Sequence, residues 1–293
     1  MSRIFDMLRK SEREATGKTP ATPWATSSKV KVTKVPLEVV QTGFEDAEHV
    51  AVRIKPEKHI VACGESHAPG AEKFRVLRHR LQKIRADRPL TRLLVSSAVP
   101  REGKTLVAVN LAFSFAKTSK RVLLVDADLR RPGVHQVLGL EEMSGLAEFL
   151  QGENDERTAI RRLDPVNLFY LPAGRPSSAV SELLGGGRFR EFLKKAGEAF
   201  DWVVVDSAPI TLFADTPHLS TLVDASLLVV RLGVTPVDTV QQALGALEGS
   251  FIAGMVLNGE TERGIQHYGY YSYSDDQQDV AAVNTDKEDS GNG

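Results

Sequence analysis

The chain has 293 residues, 42% of them apolar and 26% charged, with a formal net charge of −1 and a single cysteine. That length buries a full core, most simply in one domain with loose ends. Near-neutrality excludes a general attraction to nucleic acid, and Cys63 alone excludes a disulfide framework or a cysteine-based cluster within one chain.

In chain order, residues 2–15 read as a short amphipathic helix, with Ile4, Phe5 and Leu8 on one side and Arg3, Arg9, Lys10 and Arg13 around it. A Thr/Pro/Ser/Lys-rich linker follows to about residue 36, with no firm pattern before about residue 55. From Pro69 a charged helix is expected through Arg85, stopped by Pro89. Leu93-Leu94-Val95 is a short buried strand, and the residues after Thr105 have helical apolar spacing. Apolar runs then alternate with helical patterns, at Val122–Val125, Leu168–Leu171, Trp202–Val205, Leu227–Val230 and Ile252–Leu257. Short continuous Val/Leu runs suit strands buried on both faces, so the expected fold is α/β, a mostly parallel sheet flanked by helices on both faces. The expected organisation is an N-terminal segment and linker over 1–55, a folded domain over 56–262 and a tail over 263–293. No run approaches the roughly 20 apolar residues that span a bilayer, and no signal-peptide pattern opens the chain. The expectation is a cytoplasmic protein.

The segment Ser96-Ser97-Ala98-Val99-Pro100-Arg101-Glu102-Gly103-Lys104-Thr105 ends a strand and opens a helix. A loop in that place aims backbone N–H groups and a helix N-terminus at one point, which suits a polyphosphate. The backbone amides of Pro100–Thr105, continuing to Leu106, would cradle the phosphates. Lys104 would neutralise the terminal phosphates, and the Thr105 hydroxyl would ligate Mg²⁺. Two carboxylate blocks also follow strands, Asp126-Ala127-Asp128 after Leu123-Leu124-Val125 and Asp206 after Val203-Val204-Val205. Ligands gather beyond the carboxyl ends of strands in an open parallel sheet, so these groups should converge on one crevice. Thr105 with Asp128 and Asp206 forms the expected Mg²⁺ set, since that ion keeps several waters and needs few protein oxygens.

These motifs resemble those of the bacterial tyrosine kinase (BY-kinase) family, whose signatures are called Walker A, Walker A′ and Walker B. They correspond to A-x-P-x-E-G-K-T at residue 98, L-L-V-D-A-D-L-R-R-P at residue 123 and V-V-V-D-S-A-P at residue 203. The resemblance extends over about residues 60–273. It implies a P-loop fold using ATP and Mg²⁺, and a stand-alone autokinase of exopolysaccharide or capsule biosynthesis. It also implies a subunit contact in a ring-like homo-oligomer through Glu72, Arg75 and Arg78. Asn258 falls where related nucleotide-binding folds contact the base. Tyr268, Tyr270, Tyr271 and Tyr273, beside an acidic end, match the family's autophosphorylation cluster. A phenol with a pKa near 10 needs a proton acceptor; Asp126 is the first choice and Asp128 the second. The implied partners are a separate membrane-spanning chain-length regulator and a tyrosine phosphatase, with the chain held at the inner face of the membrane through a partner.

Two loop positions depart from the family pattern. Ala98 replaces the first glycine, and Arg101 stands where glycine is usual, tolerable only if its backbone avoids positive φ. The rival class is a switch ATPase of the MinD/ParA kind. Those proteins carry a second lysine early in the loop, where this chain has Val99. A nucleotide-binding scaffold without kinase activity is a further alternative.

Overall fold

The computed structural model describes residues 44, 47–52, 60–62, 69–118, 120–164 and 166–259. The expected N-terminal helix and linker, the tyrosine cluster and the acidic tail lie outside these described residues. The architecture is an eight-stranded sheet in the order β1-β4-β5-β3-β6-β2-β7-β8. Its strands are β1 (Glu48–Ala51), β2 (Arg92–Ser97), β3 (Val122–Asp126), β4 (Arg161–Asp164), β5 (Leu168–Leu171), β6 (Trp202–Asp206), β7 (Ala225–Arg231) and β8 (Ile252–Asn258). Every pairing is parallel except β4 with β5. All five expected apolar runs are strands, and Leu93–Val95 lies inside β2.

Alternate residues of the central strands supply two cores, as burial on both faces requires. On one face Leu93, Val95, Leu124 and Val204 pack under helices α1 (Pro69–Asp87), α2 (Lys104–Ala116) and α3 (Val134–Leu138). On the other, Leu94, Leu123, Val125 and Val205 meet α4 (Leu146–Gln151), α6 (Val180–Gly185), α7 (Gly187–Ala199) and α8 (Asp215–Ser220). The four-residue helix α5 (Glu156–Ala159) leads into β4, and α9 (Val237–Ala246) covers Leu228 and Val230. α2 is buried from Val107 to Ala116, and Phe115 stacks on Trp202 of β6 with ring centroids 4.0 Å apart. That contact sets the helix after the Ser97–Gly103 loop against the central strand.

The folded unit begins earlier than the expected boundary at residue 56. β1 pairs with β4 over residues 48–51, and Phe44 is buried in the core. The sequences EHVA and RRLD of these strands carry no continuous apolar run, because β1 is an edge strand and largely exposed.

Candidate phosphate-binding site

Strand register brings the site together. β6 lies between β3 and β2, which aligns Asp126 with Asp206 and Asp206 with Val95 at the carboxyl ends of the strands. The loop after Ser97 therefore opens beside both carboxylates. α2 begins at Lys104, its first helical bond runs from Val107 N–H to the Gly103 carbonyl, and no side chain caps its N-terminus. The amides of its first turn thus have no partner within the helix. Pro100 corrects one expectation: having no N–H, it shapes the loop and donates nothing.

Lys104 Nζ is 2.9 Å from Asp128 Oδ2, 3.2 Å from Thr105 Oγ1 and 3.7 Å from Asp206 Oδ1. Burial works against its charge, but Asp206 and Asp128 outweigh it and raise the lysine pKa. Three carboxylates thus face one ammonium. Asp126 is fully buried; its Oδ2 accepts from the Gly133 and Val134 amides at 3.1 and 3.0 Å, and its Oδ1 from the Asp128 amide at 3.2 Å. Burial first, then the nearby Asp206, pushes this carboxyl up to about 8. Asp206 is also fully buried, and neither of its oxygens makes a hydrogen bond. Burial pushes it up to about 6, with Lys104 and Thr105 pulling the other way.

Those orphaned oxygens beside the Thr105 hydroxyl fit a hard cation. No group of three or more His, Cys, Asp or Glu side chains among the described residues forms a metal cage, and Mg²⁺ at a phosphate site needs one or two carboxylates only. Asp128 fits the metal set less well. Its Oδ2 faces Lys104 and its Oδ1 accepts from the Arg131 amide at 3.0 Å.

The loop is braced from below. Glu102, 2% exposed, accepts from the Val99 amide at 2.8 Å and, through its other oxygen, from the Arg231 amide at 3.2 Å and the Thr235 hydroxyl. Asn258 Nδ2 donates to the Glu102 carbonyl at 2.8 Å. A Cβ on Gly103, whose φ is 91°, would stand 2.1 Å from that same nitrogen. The side chains of Glu102 and Asn258 hold the loop in shape; the expected phosphate contact of Glu102 is through its backbone amide. Arg101 takes φ 66°, so the condition placed on it is not met and it occupies the left-handed conformation that glycine favours.

A cavity of about 340 Å³ opens on this loop, lined by Lys104 and Asp128, by the apolar Pro209, Leu212 and Phe213, and by Arg130 and Arg131. Sequence reasoning missed that apolar wall. Leu212 is 52% exposed, and Phe213 lies 4.4 Å under the Arg130 guanidinium, which buried Asp215 holds at 2.7 Å. On α1, Glu72 and Arg75 form an ion pair of 2.6 Å on the surface. Arg78 instead turns inward and donates to the Ser114 carbonyl of α2 at 2.6 Å. Tyr170, in β5, is the fifth tyrosine and is fully buried.

Residues 102–248 match the AAA domain family. The tyrosine-protein kinase YwqD of Bacillus subtilis is 33% identical over 221 residues, which cover 75% of this chain and 93% of YwqD. Tyrosine-protein kinase Etk of Escherichia coli is 32% identical over 201 residues, which cover 68% of this chain and 28% of Etk. The solved kinase domain of E. coli Etk superposes with a TM-score of 0.67 at 30% identity, covering 73% of this chain and 84% of that domain. The septum site-determining protein MinD of Pyrococcus horikoshii, solved with Mg-ADP, gives a TM-score of 0.50 at 23% identity over 59% of this chain and 73% of its own. At that identity it shares the fold alone.

Proposed function

Because the chain belongs to the bacterial tyrosine-protein kinase family, we propose that it is an autokinase that moves the γ-phosphoryl group of ATP to Tyr268, Tyr270, Tyr271 and Tyr273. The observation that carries this reading is Lys104 at an uncapped helix start, ringed by Asp128 and by the buried Asp206, whose oxygens make no hydrogen bond. Phosphoryl transfer needs positioning and charge neutralisation more than covalent chemistry. Amides of Arg101–Leu106 take up phosphate oxygens, and Lys104 neutralises the charge that develops on them. Thr105 and Asp206 would hold Mg²⁺, which would supply further neutralisation of phosphate charge.

Pro209, Leu212 and Phe213, which line the same cavity as Lys104, would receive the tyrosine ring. The phenolic oxygen forms the new O–P bond, the bond to the β-phosphate breaks and ADP leaves with its electron pair. The phenolic proton passes to a carboxylate. Asp128 suits this role better than Asp126, since it lines the cavity while the Asp126 oxygens are taken by three amides. Asp126 would then position Asp128 through the loop it holds. Tyr170 is unsuitable as an acceptor because its hydroxyl is sealed inside the core.

By family resemblance, this activity regulates exopolysaccharide or capsule polymerisation and export. The same resemblance supports a homo-oligomer using Glu72 and Arg75, a membrane-spanning activator, a phosphatase, and attachment at the inner face of the membrane. Arg78 would support the oligomer indirectly, by fixing α1 on α2. No helix among the described residues is long and apolar enough to cross a membrane.

An anti-phosphotyrosine blot after incubation with Mg·ATP tests the reading. Signal is expected from the full chain and not from Lys104→Met or the fourfold Tyr→Phe variant. ATP hydrolysis without signal would instead make the chain a switch ATPase.

A further inference from the structure

Among the described residues, Arg101 is the one non-glycine residue with positive φ. In that region the Cβ of an L-residue crowds its own carbonyl, and such a conformation persists only where the surroundings over-determine it. Here they do. Arg231 Nη1 reaches the Arg101 carbonyl at 3.4 Å, and Glu102, the next residue, is tied to Val99, Arg231 and Thr235. The brace that shapes the loop also fixes where the Arg101 side chain leaves it.

Arg101 lines the same cavity as Lys104, Asp128, Arg130 and Arg131. The cations of this cavity are unequally committed. Lys104 faces Asp128 and Asp206, and Arg130 is bound to Asp215. The guanidinium groups of Arg101 and Arg131 make no hydrogen bond or ion pair with any described residue, and of these two Arg101 stands in the loop itself. The inner site meanwhile holds a single lysine against Asp128 and Asp206, with the Asp126 oxygens taken by backbone amides. A triphosphate entering there brings several more negative charges, and its terminal group gains most from an uncommitted guanidinium.

We infer that the Arg101 side chain is a phosphate-contacting group that binds the terminal phosphoryl of a bound triphosphate, so that this loop selects triphosphate over diphosphate. The inference rests on reading the loop as the ATP site and goes beyond the backbone cradle. Arginine is kept at a position where glycine would be relaxed because its charge meets the one phosphate that ADP lacks.

Isothermal titration of the full-length protein with a non-hydrolysable ATP analogue and with ADP, both with Mg²⁺, tests this in Arg101→Gly and Arg101→Gln. Glycine should raise the Tm by a few °C, since it removes the backbone strain, and should still weaken analogue binding about tenfold, with ADP changed less than twofold. Glutamine should show the same selective loss without the gain in Tm. Equal binding of the analogue by wild type and Arg101→Gly would overturn the inference, as would equal losses for both nucleotides. Failure of the kinase reading is separable. A wild-type chain that makes no phosphotyrosine, yet loses its preference for the analogue in both variants, refutes the kinase and upholds the role of Arg101. Phosphotyrosine formed with no change in preference does the reverse.

Discussion

Replacing Asp206 by asparagine should make the nucleotide-free protein more stable at neutral and alkaline pH, although it removes an acidic group from beside a lysine. Asp206 is fully buried, makes no hydrogen bond, and has its nearest cation 3.7 Å away and shared with Asp128. Burial outweighs that attraction and moves its pKa from 3.8 to about 6. At about 1.4 kcal/mol per pH unit, this corresponds to about 3 kcal/mol. The folded chain holds the Asp206 proton more tightly than the unfolded chain does. Stability therefore falls as pH rises from about 4 to about 6, and the full penalty remains above that window. Asparagine has almost the same shape and no charge to bury, and it also relieves the repulsion that raises Asp126. For a folded unit of about 200 residues, 3 kcal/mol is a Tm increase of about 6–12 °C. Thermal unfolding monitored by circular dichroism in EDTA at pH 4, 6 and 8 measures it, with the two proteins converging at pH 4. A lower Tm for Asp206→Asn at pH 8, or the same pH slope in both proteins, would refute the electrostatic argument. With Mg·ATP added the order should narrow or invert, because wild type gains from the metal and the variant does not.

Glu102→Gln should weaken ATP binding without unfolding the protein. It turns one acceptor oxygen into a donor facing the Val99 amide or the Arg231 amide, at about 1–3 kcal/mol, and titration of nucleotide against each protein reads the loss. Gly103→Ala should abolish nucleotide binding, because its Cβ meets Asn258 at 2.1 Å and its φ of 91° suits glycine; retained binding would show that the loop yields more easily than this packing implies. Leu212→Ser should raise KM for a tyrosine peptide several-fold and leave the ATP Kd unchanged, which steady-state kinetics and titration separate. An equal effect on both would remove Leu212 from the acceptor side.

The parts of the site that the sequence disclosed are those governed by local rules. Lys104, Thr105, Asp126 and Asp206 lie at strand ends or at a helix start, and a parallel sheet collects such ends on one side. Side-chain direction obeys no such rule. Glu102 reads as part of a phosphate loop, yet its carboxylate points down to Arg231 and Thr235, 129 and 133 residues away in the chain. Asn258 likewise braces the loop from the end of β8. Arg75 and Arg78 share one motif and one helix, but Arg78 finds the Ser114 carbonyl while Arg75 stays with Glu72. β1 and β4 escaped notice for a related reason. The polar β1, at the sheet edge, and β4, between it and β5, carry no hydrophobic period, and only their pairing across the chain reveals them.

Sequence by itself determined the alternation of apolar runs and helices, the glycine and lysine of the phosphate loop, and the carboxylates that follow two strands, because each follows from spacing along one segment. Tertiary structure alone decided which carboxylate is saturated by amides, which is left bare beside a lysine, and which arginines of the cavity remain uncommitted. Those distinctions depend on burial and on partners brought in from other strands. The free energy of a buried charge is set by the few ångströms around it, whatever the order of residues along the chain.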